Sequence, residues 1–290
     1  MNVKILAPAK INLGLEILDK RADGYHNVDM IMQSVSLYDV LKISVSENSF
    51  FDIKSNVDFK CSLEDNTMHK AAECFFEFTG IKPAGILIET QKNIPSLAGL
   101  AGGSSDGAAV IVALNHIFET GLPLNDLMKI GEKVGSDVPF CIKGGTSEAG
   151  GRGTILHPIN SELEYYLVIV KPDINISTST AYAKAESIEE KNILAIERIN
   201  AALKSGDLSG MCNNLFNRFE DVVEDPEVFL LKDKMRKLGA KGTLMTGSGS
   251  AVFGIFEDAV SAQRCQKIMK QDYEKVFLCK PVSHGVIIDD

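Results

Sequence analysis

Residues 93–115 read NIPSLAGLAGGSSDGAAVIVALN, a glycine-rich segment that runs directly into a long apolar stretch. Glycines permit positive φ and let the backbone approach a ligand without an intervening Cβ. Ser104, Ser105 and Asp106 stand where the pattern predicts that a helix begins. The first N–H groups of a helix have no intrahelical partner and carry the positive end of its dipole. This arrangement favours an anion site, and phosphate is its natural ligand.

The better-known phosphate-binding motifs are missing from the chain. Neither G-x-x-x-x-G-K-[ST] nor G-x-G-x-x-G occurs, which argues against Walker-A proteins, dinucleotide-binding folds and protein kinases. Residues 103–107, GSSDG, do match the G-x-S-x-G nucleophile elbow of α/β hydrolases. That elbow needs a strand directly before Ser105, which SLAGLAGG does not predict. A serine N-cap after a flexible loop is the structural alternative to phosphate binding.

Two charged residues and a second glycine segment also suggest phosphoryl chemistry. Asp137, in GSDVPF, is either a cap or a base that takes the proton of an acceptor hydroxyl. Lys10, within the apolar APAKINLGL, is either an edge-strand lysine or the partner of an ion pair with Asp137. TGSGS, residues 246–250, is either a hairpin turn or a second glycine loop packed on the first.

Composition excludes several function classes. The chain has 290 residues, 45% hydrophobic, and a formal net charge of −9. This acidic balance without a basic run argues against binding of nucleic acid or an anionic membrane. The apolar runs are too short for a membrane helix, and the first residues do not predict a signal peptide. Six cysteines without a CxxC pair predict free thiols in the cytoplasm and no metal site.

The order of apolar runs predicts an α+β protein of two domains. Short β-branched runs predict strands at 3–7, 11–18, 30–38, 41–45, 51–55 and 85–92. Residues 66–80 are expected to form a helix capped by Asn66 or Thr67, and residues 107–121 a helix buried on every side. Residues 135–145 are expected to be a loop that leads into a short strand. A second strand–helix pattern begins near residue 160.

Three segments, in this order, resemble the GHMP kinases, the family of galactokinase, homoserine kinase, mevalonate kinase and phosphomevalonate kinase. The segments are PAKINL (8–13), PSLAGLAGGSS (95–105) and MTGSGSAVF (245–253). RADGYHNV (21–28), GSDVPF (135–140) and GGRG (150–153) further resemble the members that act on a cytidine diphosphate-linked methylerythritol. The resemblance covers nearly the whole chain.

The resemblance implies a ribosomal-protein-S5-like ATP-binding domain over residues 1–158 and a ferredoxin-like domain over 159–290. It implies phosphorylation of the 2-hydroxyl of the polyol by ATP with Mg²⁺, in a cleft between the domains, by a monomer or homodimer. A GHMP kinase for mevalonate or homoserine is one alternative, and RADGYH argues against it. A nucleotide-binding protein without transferase activity is another, and a base at Asp137 with Lys10 beside it argues against that.

The resemblance also assigns residues by their position in these segments. Asp137 would be the base and Lys10 its partner. The ATP-binding residues would be Pro95, Ala98, Gly99, Leu100, Ala101, Gly102, Gly103, Ser104 and Ser105, with Asn66 and Lys92 nearer the nucleoside. The substrate-binding residues would be Asn12, Tyr25, His26 and Tyr182. A cytosine ring needs an aromatic face and specific donors, which suits Tyr25 and His26, with Tyr182 closing over the base.

Overall fold

The computed structural model describes residues 2–47 and 50–289. Its strands are β1 (Asn2–Lys20), β2 (His26–Ser46), β3 (Phe51–Ser55), β4 (Gly85–Gln91), β5 (Thr146–Gly150), β6 (Ile155–Pro158), β7 (Tyr166–Lys171), β8 (Phe216–Asn217), β9 (Gly242–Met245), β10 (Val252–Phe256), β11 (Lys275–Cys279) and β12 (Ile287–Ile288). Its α-helices are α1 (Thr67–Thr79), α2 (Gly102–Ile117), α3 (Leu124–Val134), α4 (Val138–Lys143), α5 (Thr178–Glu186), α6 (Ile193–Ser205), α7 (Leu208–Asn214), α8 (Pro226–Lys237) and α9 (Ala259–Met269). A short 3₁₀ turn covers Arg218–Asp221.

The N-terminal sheet has the order β12-β1-β2-β4-β3, and in addition β5 pairs with β2, β6 with β5 and β8 with β1. The long antiparallel pair of β1 and β2 shifts register between Pro8 and Ala9 and again between Asn12 and Gly14. The two strands predicted at 3–7 and 11–18 are therefore one strand. Its break is a bulge next to a proline, which has no N–H for the ladder. Bulges re-aim side chains, and these two lie on either side of Lys10 and Asn12.

Helix α2 is the central helix of the N-terminal domain. Residues 108–111 are fully buried, but His116 is exposed and the helix ends at Ile117. The expected burial on every side therefore holds only for the N-terminal part of the helix. The predicted cap of α1 is confirmed, because the side chain of Asn66 accepts a hydrogen bond from the N–H of Met68 at 2.9 Å.

The loop predicted at 135–145 was wrong, because residues 138–143 form α4. Pro139 lies in its first turn, where the missing N–H has no cost, and Gly144 ends it with a φ of 70°. Burial of Phe140 and Cys141 stabilises this helical turn.

The C-terminal sheet has the order β11-β7-β10-β9 with antiparallel neighbours. Helices α5 to α8 connect β7 to β9, and α9 connects β10 to β11, so the domain has the β-α-β-β-α-β plan of a ferredoxin-like fold. The end of the chain returns to the first sheet, where Ile288 pairs with Ile5 of β1. The short strand β8 also returns to the first sheet, where Phe216 pairs with Gly14 of β1. The domain boundary after residue 158 stays a prediction. No helix of the described residues is long and apolar enough to cross a membrane.

Candidate active site

A cleft of about 1060 Å³ lies between the two domains. It is lined by almost all of the residues that the sequence predicted for the site, namely Lys10, Asn12, Tyr25, His26, Asn66, Lys92, Pro95, residues 98–104, Asp137 and Tyr182. These residues come from positions as far apart as 10 and 182, and Ser248 of the second glycine segment also lines the cleft. The fold therefore brings together residues that the sequence could only group by resemblance.

The glycine-rich loop has a strained, open backbone. Leu97, Gly99 and Ala101 have φ values of 53°, 73° and 57°. Ala101 precedes α2 without a side-chain cap, and the first hydrogen bond of the helix runs from the N–H of Ser105 to the carbonyl of Ala101. The N–H groups at 102–104 precede that bond, and these residues line the cleft. The helix N-terminus thus offers donors for an anion.

The loop rests on the second glycine segment of the C-terminal domain. The N–H of Ala251 donates to the carbonyl of Ala98 at 3.2 Å, and the hydroxyl of Thr246 donates to the carbonyl of Gly99 at 3.3 Å. A Cβ at Gly99 would lie 2.0 Å from the carbonyl oxygen of Thr246. Residues 246–250 thus form the hairpin loop between the antiparallel strands β9 and β10, and this loop also packs on the first glycine loop.

Lys10 and Asp137 meet beside this loop. Lys10 is 5% exposed, and its Nζ donates to Oδ1 of Asn12 at 2.7 Å and lies 3.6 Å from Oδ2 of Asp137. The N–H of Lys10 donates to the carbonyl of Leu100 at 3.1 Å, which ties the strand to the glycine-rich loop.

Neither structural alternative for this pair agrees with the geometry. Lys10 pairs with Ser34 of β2 on one side and its N–H bonds to the carbonyl of Leu100 on the other. Its side chain is buried, so it is not an edge-strand lysine that reaches solvent. Asp137 precedes α4 without a side-chain capping bond. Its carboxylate is 30% exposed and faces the ammonium of Lys10, so it remains free to accept a proton from a ligand.

Ser105 is the one predicted residue that lies outside the cleft. It is fully buried, and its hydroxyl donates to the carbonyl of Pro8 at 2.8 Å. The expected contact of Ser105 with phosphate is wrong, because α2 already begins at Gly102 and successive helical residues differ by about 100° in direction. The same position excludes the nucleophile elbow, since a helical turn and not a strand precedes this serine.

Lys92 belongs to a buried ion network that the sequence did not predict. Its Nζ pairs with the carboxylates of Asp39 and Asp106. Burial lowers the pKa of Lys92, but the two carboxylates outweigh burial and raise it above its ordinary value. Burial, aided by the charge of Asp39, raises the pKa of Asp106 against the pull of Lys92. The available signal was a carboxylate at 39 within the apolar run VSLYDVL.

The opposite end of the cleft is aromatic. The ring of His26 stacks on Tyr182 of α5 at 5.2 Å, and its Nε2 lies 3.3 Å from Oε2 of Glu186. Tyr182 in turn contacts the ring of Phe219 edge-on at 4.9 Å. Burial, with a smaller effect of the Asp137 charge, raises the pKa of Tyr182 to about 12. Tyr182 is thus both a packed helix aromatic and a neutral wall of the cleft.

Tyr25 stands at the rim of this aromatic end. Its side chain is 52% exposed, and the guanidinium of Arg152 lies 5.2 Å from the ring centre. Arg152 also donates to the backbone carbonyl of Glu132 at 3.0 Å. Arg152 and Glu186 line the cleft but were not assigned roles from the sequence. Arg152 belongs to the GGRG motif, which indicated the family but no role for the arginine. No motif surrounds Glu186.

Comparisons with known proteins agree with this architecture. The GHMP kinases N terminal domain matches residues 66–145, and the GHMP kinases C terminal domain matches residues 197–275. A 4-diphosphocytidyl-2-C-methyl-D-erythritol kinase from Clostridium perfringens is 39% identical over 274 residues, which cover 94% of this chain and 95% of the relative. The kinase of the same name from Clostridium tetani is 40% identical over 288 residues, with 97% and 100% covered.

Solved structures give the same result. The crystal structure of a 4-(cytidine 5'-diphospho)-2C-methyl-D-erythritol kinase has a TM-score of 0.79 at 30% identity and covers 97% of this chain and 99% of its own. A homoserine kinase from Cytophaga hutchinsonii has a TM-score of 0.78 at 19% identity, with 99% and 97% covered, and is similar in fold. These matches confirm the two-domain fold that the motifs predicted.

Proposed function

The chain belongs to the GHMP kinase family and phosphorylates 4-diphosphocytidyl-2-C-methyl-D-erythritol, and we propose which residues of its cleft carry out each part of this reaction. The acceptor is the 2-hydroxyl of the methylerythritol unit, and the products are its 2-phosphate and ADP, in non-mevalonate isoprenoid biosynthesis. The observation that carries this assignment is the position of the Lys10–Asp137 pair, 3.6 Å apart. It lies in one cleft with the phosphate loop and the aromatic end.

Asp137 accepts the proton of the 2-hydroxyl while the hydroxyl oxygen attacks the γ-phosphorus of ATP. The bond between that phosphorus and the oxygen that bridges it to the β-phosphorus breaks, and ADP leaves. Lys10, held by Asn12, stabilises the negative charge on the transferred group. Such transfer depends mostly on position and charge, and a nearly buried ammonium supplies both.

The two ends of the cleft bind the two substrates. The free N–H groups at 102–104 and the loop from Pro95 to Ala101 bind the phosphates of ATP, with Asn66 near its nucleoside. Tyr25, His26 and Tyr182 hold the cytosine end of the acceptor. The stack of His26 on Tyr182 supports this, since it already aligns a flat surface in the cleft.

Mg²⁺ enters with ATP in this proposal. Among the described residues, no group of three or more His, Cys, Asp or Glu side chains is placed to hold a metal ion. Mg²⁺ usually keeps several waters and binds through one or two protein oxygens plus substrate phosphates. The hydroxyl of Ser104, at the cleft end of α2, is the oxygen donor we assign to it. The ion would neutralise charge on the β- and γ-phosphates.

We place the reaction in the cytoplasm and within one chain. All six cysteines lie in the described residues and are free thiols, which fits a reducing compartment. The residues assigned above all come from a single copy, so a monomer is sufficient for the reaction and a homodimer would carry two independent sites.

The test is ADP release from ATP and Mg²⁺, with 4-diphosphocytidyl-2-C-methyl-D-erythritol, mevalonate and homoserine offered separately. ADP formed with the cytidyl substrate alone is the expected result. ADP formed with another alcohol would keep the phosphate loop and overturn the cytosine pocket. Tight ATP binding without ADP release from any of the three would favour a nucleotide-binding protein without transferase activity.

A further inference from the structure

The Lys92 network is the most deeply buried ionic cluster that borders the cleft. Its side chains are 7% exposed at Lys92, 0% at Asp39 and 2% at Asp106. Asp39 lies on β2, Asp106 lies in the second turn of α2, and Lys92 follows β4. Three separate elements therefore meet at one ammonium group.

The network holds the entry of the phosphate loop through the backbone. Oδ1 of Asp39 accepts hydrogen bonds from the N–H groups of Asn93 at 2.6 Å and Ile94 at 2.8 Å. The side chain of Asn56 fixes the backbone of Lys92, accepting from its N–H at 2.7 Å and donating to its carbonyl at 3.2 Å. The first two residues of the loop are thus fixed to β2.

The network holds the exit of the loop through Asp106. The ammonium of Lys92 joins Oδ2 of Asp106 to Oδ2 of Asp39. The ammonium therefore connects the loop entry at 93–94, which Asp39 holds, to helix α2, which carries Asp106. Oδ1 of Asp106 is buried and has no hydrogen-bond partner, and among the described residues Lys92 is the only cation paired with this carboxylate.

We propose that Lys92, Asp39 and Asp106 are positioning residues that hold the phosphate loop in its ATP-binding shape. They act through the loop, and their side chains do not contact the phosphates. This inference rests on the proposed binding of ATP by residues 95–104. Without the ammonium, two buried carboxylates face each other and the connection between loop entry and helix is lost.

The experiment compares Lys92→Met with Lys92→Arg. Lys92→Met removes the charge at similar volume, so the KM for ATP and the Kd of a non-hydrolysable ATP analogue should rise by about tenfold. The KM for the cytidyl substrate should stay within about twofold, because the aromatic end does not touch the network. Lys92→Arg should restore most of the ATP affinity, since it returns a cation between the same two carboxylates.

Lys232→Met is the matched control, because Lys232 forms a buried pair with Glu220 in the C-terminal domain. It should lower Tm without raising the Kd of the ATP analogue. If Lys92→Met fails to fold, Asp39→Asn takes its place. The amide oxygen of that variant still accepts from Asn93 and Ile94 but loses the ion pair, so ATP affinity should fall by a smaller factor.

The results distinguish the positioning role of the Lys92 network from the proposed binding of ATP by the loop. A Lys92→Met enzyme that binds the analogue like the wild type, or in which both KM values rise equally, would overturn the positioning role. Wild-type protein that binds no ATP analogue would overturn the proposed function of the loop itself.

Discussion

The end of the cleft that we propose binds phosphate and the end that we propose binds cytosine are built by different kinds of contact. At the phosphate end, backbone groups bond to one another, as the N–H of Lys10 does to Leu100 and that of Ala251 to Ala98. At the cytosine end, side chains meet side chains, as in the stack of His26 on Tyr182. Backbone contacts persist through most substitutions, whereas side-chain contacts change with each one. A common phosphoryl chemistry can therefore be kept while the acceptor pocket varies.

The largest effect is expected between the two ends, at Asp137. Asp137→Asn removes the proton acceptor but keeps the shape, so kcat should fall by about 10²-fold or more. The Kd of a non-hydrolysable ATP analogue should change little. Steady-state kinetics with an analogue titration measure both. Asp126→Asn, at the half-buried carboxylate that pairs with Lys129, is the control and should keep wild-type turnover. Near-normal turnover of Asp137→Asn would remove it as the base.

The next effect tests the backbone character of the phosphate end. Gly99→Ala places a Cβ 2.0 Å from the carbonyl of Thr246 at a φ of 73°, so the two glycine loops must separate. ATP analogue affinity should fall by more than about tenfold. Gly121→Ala is the matched control, because its φ is 62° but no atom lies within 4 Å of the added Cβ. Equal effects of the two variants on ATP affinity would show that strain, and not the loop contact, matters.

A smaller effect tests the side-chain character of the cytosine end. Tyr25→Ala removes an exposed ring from Arg152 and from the substrate. An aromatic contact contributes about 0.5–1.5 kcal/mol, so the KM for the cytidyl substrate should rise by up to about tenfold. The KM for ATP should not change, and Tyr25→Phe should behave like the wild type. A parallel rise of both KM values would argue against a division of labour between the ends.

The smallest effect concerns the stability of the protein and its dependence on Asp29, a residue of strand β2, which begins at His26. Burial, followed by the charges of Glu148, Glu197 and Glu16, raises the pKa of Asp29 from 3.8 to about 6. Between these values the unfolded chain loses this proton and the folded chain keeps it. The free energy of unfolding therefore falls as pH rises through that window. Asp29→Asn should match the wild type near the lower pH and exceed it by about 1 kcal/mol at neutral pH, after allowance for solvent screening.

Denaturant unfolding between pH 4 and pH 7 measures this difference, as a free energy of unfolding at each pH. Asp52→Asn, an exposed position on β3, is the control for loss of a carboxylate without burial. A constant offset between Asp29→Asn and the wild type across the pH range would contradict the assignment of the pH dependence to Asp29.

The sequence by itself determined the features that depend on near neighbours. Asn66 caps α1 because its side chain reaches the N–H of Met68, two residues on. The apolar stretch after the glycine run at 99–107 predicted a buried helix, which the N-terminal part of α2 confirms. Phosphate binding by the glycine run stays a prediction. The motif order also indicated the family and the two-domain fold, since motifs are local patterns read in sequence.

Only the tertiary structure decided the contacts between distant residues. Lys10 and Asp137 meet because bulges in β1 and the helix α4 aim them at one point, and neither feature was predicted from the sequence. Ser105 turns inward because α2 begins two residues before the position that Ser104 suggested. Lys92 contacts Asp39 and Asp106 because β2, β4 and α2 converge at this point of the fold. Such contacts depend on register and helical phase, and a shift of one residue reverses or rotates every side chain that follows.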